Sequence, residues 1–220
     1  MTRITFRMFV TLCGSLGFAS AALAGVADDF RDASTRKGCG SIPYSSERSE
    51  CETRQQQVNY WCKTMEWNCN GLDTTGLRNT VENVARNIAN LTQEKEELAR
   101  KISSAKDDAE RRDWEAKLKD KLNQVAAQEA KVNGWKNEIE QKKKTASSRK
   151  AIGQSCKSNR EGVNAIFRSV ESKVANESDV NAKQYVQKLL DTYKAEFPGH
   201  EAAISDADLG VQKCEAVINQ

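Results

Sequence analysis

Six cysteines hold most of the chemistry available to this chain. Cys39, Cys51, Cys62, Cys69, Cys156 and Cys214 form an even set, which in an exported protein reads as three disulfides. A metal site would call for closer ligands, such as C-x-x-C joined by histidines. Here the tightest cysteine spacing leaves six residues between Cys62 and Cys69, and His200 is the only histidine. Cys51, Gln55, Val58 and Cys62 step by four, three and four along one helix face. That places Cys51 and Cys62 about 16 Å apart at ~1.5 Å per residue. A disulfide needs Cα atoms within ~7 Å, so these two should not pair with each other. Cys69 and Cys156 bracket the long central segment, and a bond between them would close its base. Cys214 competes for Cys156 or could reach the N-terminal helix; spacing leaves these pairings open.

Other reactive patterns are thin. Any Ser-His-Asp or Cys-His arrangement would have to run through His200, which follows Pro198-Gly199 and is expected to cap the last helix. Asp206-Ala207-Asp208 begins like a calcium loop, but the twelfth position is Val217 instead of glutamate. Asn90-Leu91-Thr92 and Asn176-Glu177-Ser178 match the glycosylation sequon. Carboxylates abound, but in a chain that is 30% charged their pairing carries no weight. The expectation is no catalytic residue, no cofactor and no metal.

The N-terminus points to export. Arg3 and Arg7 precede an uncharged apolar run, Met8 to Leu23, and Ala22-Leu23-Ala24 supplies the small-x-small cleavage pattern. Residues 1–24 therefore read as a signal peptide, bound for the periplasm or the extracellular space. Cys13 follows Leu12 inside the apolar run and does not fit a lipid-attachment site. The formal charge is +3, and +1 once Arg3 and Arg7 leave with the signal. A polyanion-binding protein usually carries a large basic excess, so nucleic acid is not an expected partner. No transmembrane span is expected after the signal is removed.

The elements that must position the cysteines are helical. From Leu77 to Lys150 there is no proline and one glycine, Gly134. Leu77, Val81, Val84, Ile88, Leu91, Leu98, Ile102 and Ala105 keep the alternation of four and three that marks a coiled-coil seam. A second register follows in Trp114, Leu118, Val125, Val132, Trp135 and Ile139, with Leu122 beside it. The phase breaks between about Ser103 and Asp113, where Ser104 with Asp107, and Asp107 with Glu110, offer caps. Either one long helix absorbs the break as a stutter, or the chain folds back there and the two seams face each other. The position of Cys69 and Cys156 favours the hairpin.

Four segments result: the signal over 1–24; a disulfide-tied segment over 25–72 with one helix running from Ser45 or Ser46 to about Trp67; a coiled-coil segment over 73–152; and a small helical bundle over 153–220. In the second segment Gly71 is expected to stop the helix, and Trp61 and Trp67 form either local core or an exposed aromatic patch. In the last, Val163, Ile166, Phe167, Val170 and Val174 share one face, Val186, Leu189, Leu190, Tyr193 and Phe197 another, and Ala203 to Ile218 a third, with Pro198-Gly199 as a turn.

The expected fold class is all-α, a long antiparallel coiled-coil hairpin (or one long helix) on a small disulfide-stapled base. The expected role is structural or adaptor-like, through contact with another protein or a second copy. A periplasmic holdase with helical arms is the alternative, and an enzyme is not expected. The basic run Lys142, Lys143 and Lys144, with Arg149 and Lys150, reads either as favourable charge near a helix C-terminus or as a contact for an anionic surface.

Overall fold

The computed structural model describes residue 33 and residues 38–220, apart from the side chains of residues 196–198. The signal-peptide reading and Cys13 lie outside these residues, as does the side chain of Phe197. The fold is all-α, with no strand among the described residues. A short 3₁₀ turn, Gly38–Ser41, precedes α1, Ser45–Val58. A π-helix, Asn59–Thr64, follows, then α2, Thr75–Ser103, α3, Asp108–Ala175, and α4, Val180–Asn219.

Local chemistry explains most of these boundaries. The α1 N-cap is Tyr44, whose carbonyl accepts the Arg48 N–H at 2.9 Å, so Ser45 already lies inside the helix. The α-helical spacing ends at Val58. Beyond it the Met65 N–H reaches back five residues to the Tyr60 carbonyl at 3.3 Å, the π spacing, and the regular helix expected to run to Trp67 is corrected accordingly. Gly71 does adopt the left-handed conformation, at φ 78°. It does so in a tight turn closed by the Leu72 N–H on the Cys69 carbonyl at 3.2 Å, not at a helix end. Asp179 caps α4 by accepting the Ala182 N–H at 2.9 Å.

The expected turn at Pro198-Gly199 is absent. α3 runs through Gly153, and α4 runs through Pro198-Gly199 without interruption. Pro198 has no N–H for the Lys194 carbonyl, a loss worth about 3 kcal/mol in a helix interior. The helix survives because packed residues anchor it on both sides: Val186, Leu190 and Tyr193 before the proline, Ala207, Val211, Cys214 and Val217 after it. His200 therefore sits mid-helix and caps nothing.

The chain divides into two compact units, one formed by the chain up to Val58 with Asn159–Ala202, the other by Asn59–Ser158 with Ala203–Gln220. The first unit packs α1 with the C-terminal part of α3 and the first half of α4. Its core holds Ile42, Cys51, Val58, Val163, Ile166, Phe167, Val170, Val174, Val186 and Leu190. Cys39 is bonded to Cys51, with Cα atoms 5.4 Å apart. The Tyr185 hydroxyl donates to the Ser41 carbonyl at 2.9 Å, and Lys173 pairs with Glu47. The second unit contains the hairpin and the remaining four disulfide cysteines.

Candidate functional site

The hairpin follows from two seams and one cap. α2 ends at Ser103 and α3 begins at Asp108. Asp107 accepts the Glu110 N–H at 2.8 Å, while Glu110 accepts the Lys106 N–H at 2.9 Å. This reciprocal pair is a capping box. It starts a new helix with neither glycine nor proline in the turn.

One register relates the arms. Lys121 pairs with Glu94 at 2.6 Å, the Lys101 ammonium lies 4.7 Å from the Trp114 ring centroid, and Lys142 donates to the Asp73 carbonyl at 3.4 Å. Arg149 pairs with Glu66. The two members of every pair are equally distant in sequence from the bond joining Asp107 and Asp108, so the arms run antiparallel without slippage along their length. In this register Leu98 falls about level with Leu118, Leu91 with Val125, Val84 with Val132, and Leu77 with Ile139.

Setting aside Ala105, which falls in the turn, the thirteen-residue seam inferred from spacing faces inward, yet it is unevenly covered. Leu98, Val132 and Ile139 are buried. Leu77, Val81, Val84, Ile88, Leu91, Ile102, Trp114, Leu118, Val125 and Trp135 are half-buried. Leu122, beside the seam, is 47% exposed. The seam also contains polar residues that a search for apolar spacing passes over. Lys95, Lys121 and Gln128 occupy the four-three positions left vacant by the leucines and valines, and all three are half-buried. With them counted, the α3 seam runs unbroken from Trp114 through Ala146, Gly153 and Cys156, the last three buried.

The base is stapled twice. Cys62 is bonded to Cys156 and Cys69 to Cys214, with Cα atoms 5.0 and 5.1 Å apart. Of the pairings that spacing left open, neither Cys69–Cys156 nor Cys156–Cys214 forms. Cys69 lies against α3 at Ala146, its sulfur 3.9 Å from that carbonyl, two helical turns and more short of Cys156. The segment before α2 continues down α3 beyond that point, which brings Cys62, not Cys69, to Cys156. Cys51 and Cys62 do not pair with each other, in keeping with their separation along the helix. Cys69, Cys214, Ala146 and Val217 form a buried cluster, with Leu72 and Ile218 against it.

Trp67 is the keystone of this base. Its Nε1–H donates to the Cys62 carbonyl at 3.2 Å. Its ring lies against the bare backbone at Gly210 of α4, and its main chain lies beside Gly153 of α3. Of the two expectations for Trp61 and Trp67, Trp67 is packed and half-buried. Trp61 meets the 48%-exposed Tyr60 edge-on, at 4.7 Å between ring centroids.

Charge ties the base together. Lys150 pairs with Glu215 at 2.7 Å and Lys157 with Asp208 at 2.6 Å. Arg149 donates to the Asn68 carbonyl as well as to Glu66, and Lys142 also approaches Glu138 at 3.7 Å. The basic run therefore lies within a continuing helix, and no helix C-terminal dipole accounts for it. Thr74, fully buried, donates through its N–H and hydroxyl to the Gln220 side-chain oxygen at 3.0 and 2.8 Å. This joins the start of α2 to the end of the chain.

Two carboxyls of the base are held below the ordinary 3.8: Asp73 by hydrogen bonds from the Thr75 hydroxyl and N–H, and Asp208 by its hydrogen bond and attraction to Lys157. A depressed carboxyl contributes stability that is complete above the unfolded value and lost as pH falls through the folded one. The melting temperature is therefore expected to hold from neutral pH to about 4 and then decline. In Asp73→Asn/Asp208→Asn the decline below that pH should be shallower. Thermal melts followed by circular dichroism at pH 7, 4 and 2.5 would check this, and equal declines in the two proteins would contradict it.

No group of histidine, cysteine and acidic side chains suited to a metal ion occurs among the described residues. None of their helices is long and apolar enough to cross a membrane. The three disulfides fit a protein exported to, or resident in, an oxidising compartment. No family model, curated protein or solved structure matches this chain.

Proposed function

We propose that this is an exported structural or adaptor protein. Its hairpin, packed as an antiparallel coiled coil, engages a helix of another envelope or extracellular protein, or of a second copy. The observation that carries the reading is the incompletely covered seam. Two arms in fixed register leave ten of the thirteen seam residues half-buried and Leu122 exposed, apolar surface of the kind that a further helix covers. The signal-like N-terminus and the disulfides support export.

Leu91→Asp tests it. The change places a carboxylate at a half-buried seam position and is expected to cost about 1–2 kcal/mol. The stapled base should retain its helicity. A photo-crosslinking residue at Val125 should form adducts in the native envelope, or dimers of the purified protein, that Leu91→Asp abolishes. Adducts and helicity that both survive would remove the proposal.

The same stripe supports a second reading, a holdase that receives unfolded clients along its arms. Suppression of aggregation of a reduced, unfolding client favours this reading over a fixed helical partner.

A further inference from the structure

The first unit contains a cleft of about 230 Å³ between the C-terminal part of α3 and the first half of α4. Phe167, Leu190 and Tyr193 supply its apolar wall. The Phe167 and Tyr193 rings stack with centroids 3.7 Å apart, and His200 stacks on Tyr193 at 5.2 Å. These contacts fix the wall before any ligand arrives. Asn164 also lines the cleft and is only 7% exposed. Its side-chain oxygen accepts the Tyr193 hydroxyl. Its amide nitrogen donates to nothing among the described residues. A buried amide with a spare donor open to a cleft is a polar anchor for a ligand.

The mouth supplies the charge. Lys194 pairs with Glu171 across it, and these two cancel. Arg168, exposed on the same rim, adds a guanidinium that forms no ion pair among the described residues. Three features thus converge: an apolar wall, a buried amide and a guanidinium on the rim.

We infer that this cleft is a binding site for a small apolar carboxylate. The acid would lie on Arg168, an oxygen would accept from the Asn164 amide, and the hydrocarbon body would rest on Phe167, Leu190 and Tyr193. A guanidinium prefers carboxylate geometry, through paired N–H donors. The volume, below the ~300 Å³ at which drug-sized sites begin, limits the ligand to roughly ten non-hydrogen atoms.

The probe is 3-phenylpropionate, with 3-phenylpropylamine as its cationic counterpart. Each is titrated into the isotope-labelled, oxidised mature protein and followed by amide correlation spectra. The acid is expected to bind with Kd near or below ~1 mM. It should shift the Asn164 side-chain resonances and the Leu190 and Tyr193 backbone signals, while the amine binds at least about tenfold more weakly. Arg168→Glu lies on an exposed position, so its spectrum should remain dispersed, and it should reverse the preference to the amine. Absence of saturating shifts at Asn164 up to about 10 mM acid, equal binding of acid and amine, or an unchanged preference in Arg168→Glu would each overturn the site.

Discussion

Replacing Cys69 and Cys214 together with alanine is expected to remove about 4 kcal/mol of unfolding free energy. The bond spans 145 residues of sequence, and closing a loop of that length restricts the unfolded chain by close to 5 kcal/mol in the chain-entropy account. The Cys62–Cys156 bond already shortens the path between the two sulfurs. Because closure entropy grows only logarithmically with length, that lowers the figure by less than ~1 kcal/mol. Packing adds to the loss, since Cys69 is 4% exposed and Cys214 fully buried; alanine leaves a small void there, whereas serine would bury a hydroxyl. The Cys39–Cys51 bond spans 12 residues, and its removal should cost nearer 3 kcal/mol. Guanidinium unfolding of the three proteins would rank them. A loss at Cys69/Cys214 below that at Cys39/Cys51, with unchanged denaturant slopes, would show that the long bond does not govern the base.

Gly210→Ala should destabilise the protein, and the sign is the informative part. Glycine inside a helix normally gains up to about 1 kcal/mol on becoming alanine. At Gly210 the new Cβ would lie 2.4 and 2.7 Å from the Cζ3 and Cε3 atoms of Trp67, well inside contact. The indole cannot step aside freely, because its N–H is committed to the Cys62 carbonyl and its main chain lies beside Gly153. Overpacking of this kind costs about 1–3 kcal/mol, which exceeds the propensity gain. Gly134 is the internal control: a Cβ there meets nothing within 4 Å, so Gly134→Ala should stabilise by up to about 1 kcal/mol. Equilibrium unfolding of both variants, with tryptophan emission as a second readout, tests the pair. Two shifts of the same sign would remove the close Trp67–Gly210 approach from the account of the base.

How much of this was legible in advance depended on which physical signal each element carries. The hairpin was legible because its seam repeats, and its turn because Asp107 and Glu110 stand at capping-box spacing. The exclusion of a Cys51–Cys62 bond needed only the rise of a helix. The partner of Cys156 was not legible. The phase break confined the turn to the stretch between Ser103 and Asp113, within which the register centres between Asp107 and Asp108, but the pairing depends on how far the segment before α2 follows α3. Lys95, Lys121 and Gln128 hid the continuity of the seam because long polar side chains can occupy a half-buried position with their aliphatic stems inside. Pro198-Gly199 read as a turn on local propensity, which tertiary packing overrode. Gly210 carries no local signal of its role, which is to admit an indole from a residue far away in sequence. The cleft beside Asn164 had no local signature, since its lining comes from two helices whose apolar residues read simply as core faces.

The order of the cysteines has a consequence for how this chain is made. Cys62 pairs with Cys156 and Cys69 with Cys214, so the two bonds interleave along the sequence. After Cys13, a chain that emerges from its N-terminus presents Cys39 and Cys51, and these are true partners. Cys62 and Cys69 come next, as neighbours, while both of their true partners are still to be synthesised. An oxidant that joins thiols in order of appearance would trap them together and leave Cys156 facing Cys214. Reaching the native pattern from there requires thiolate attack on existing bonds, a reshuffling that takes seconds to hours depending on the isomerase available. The yield of native protein should therefore be limited by disulfide isomerisation more than by oxidation itself.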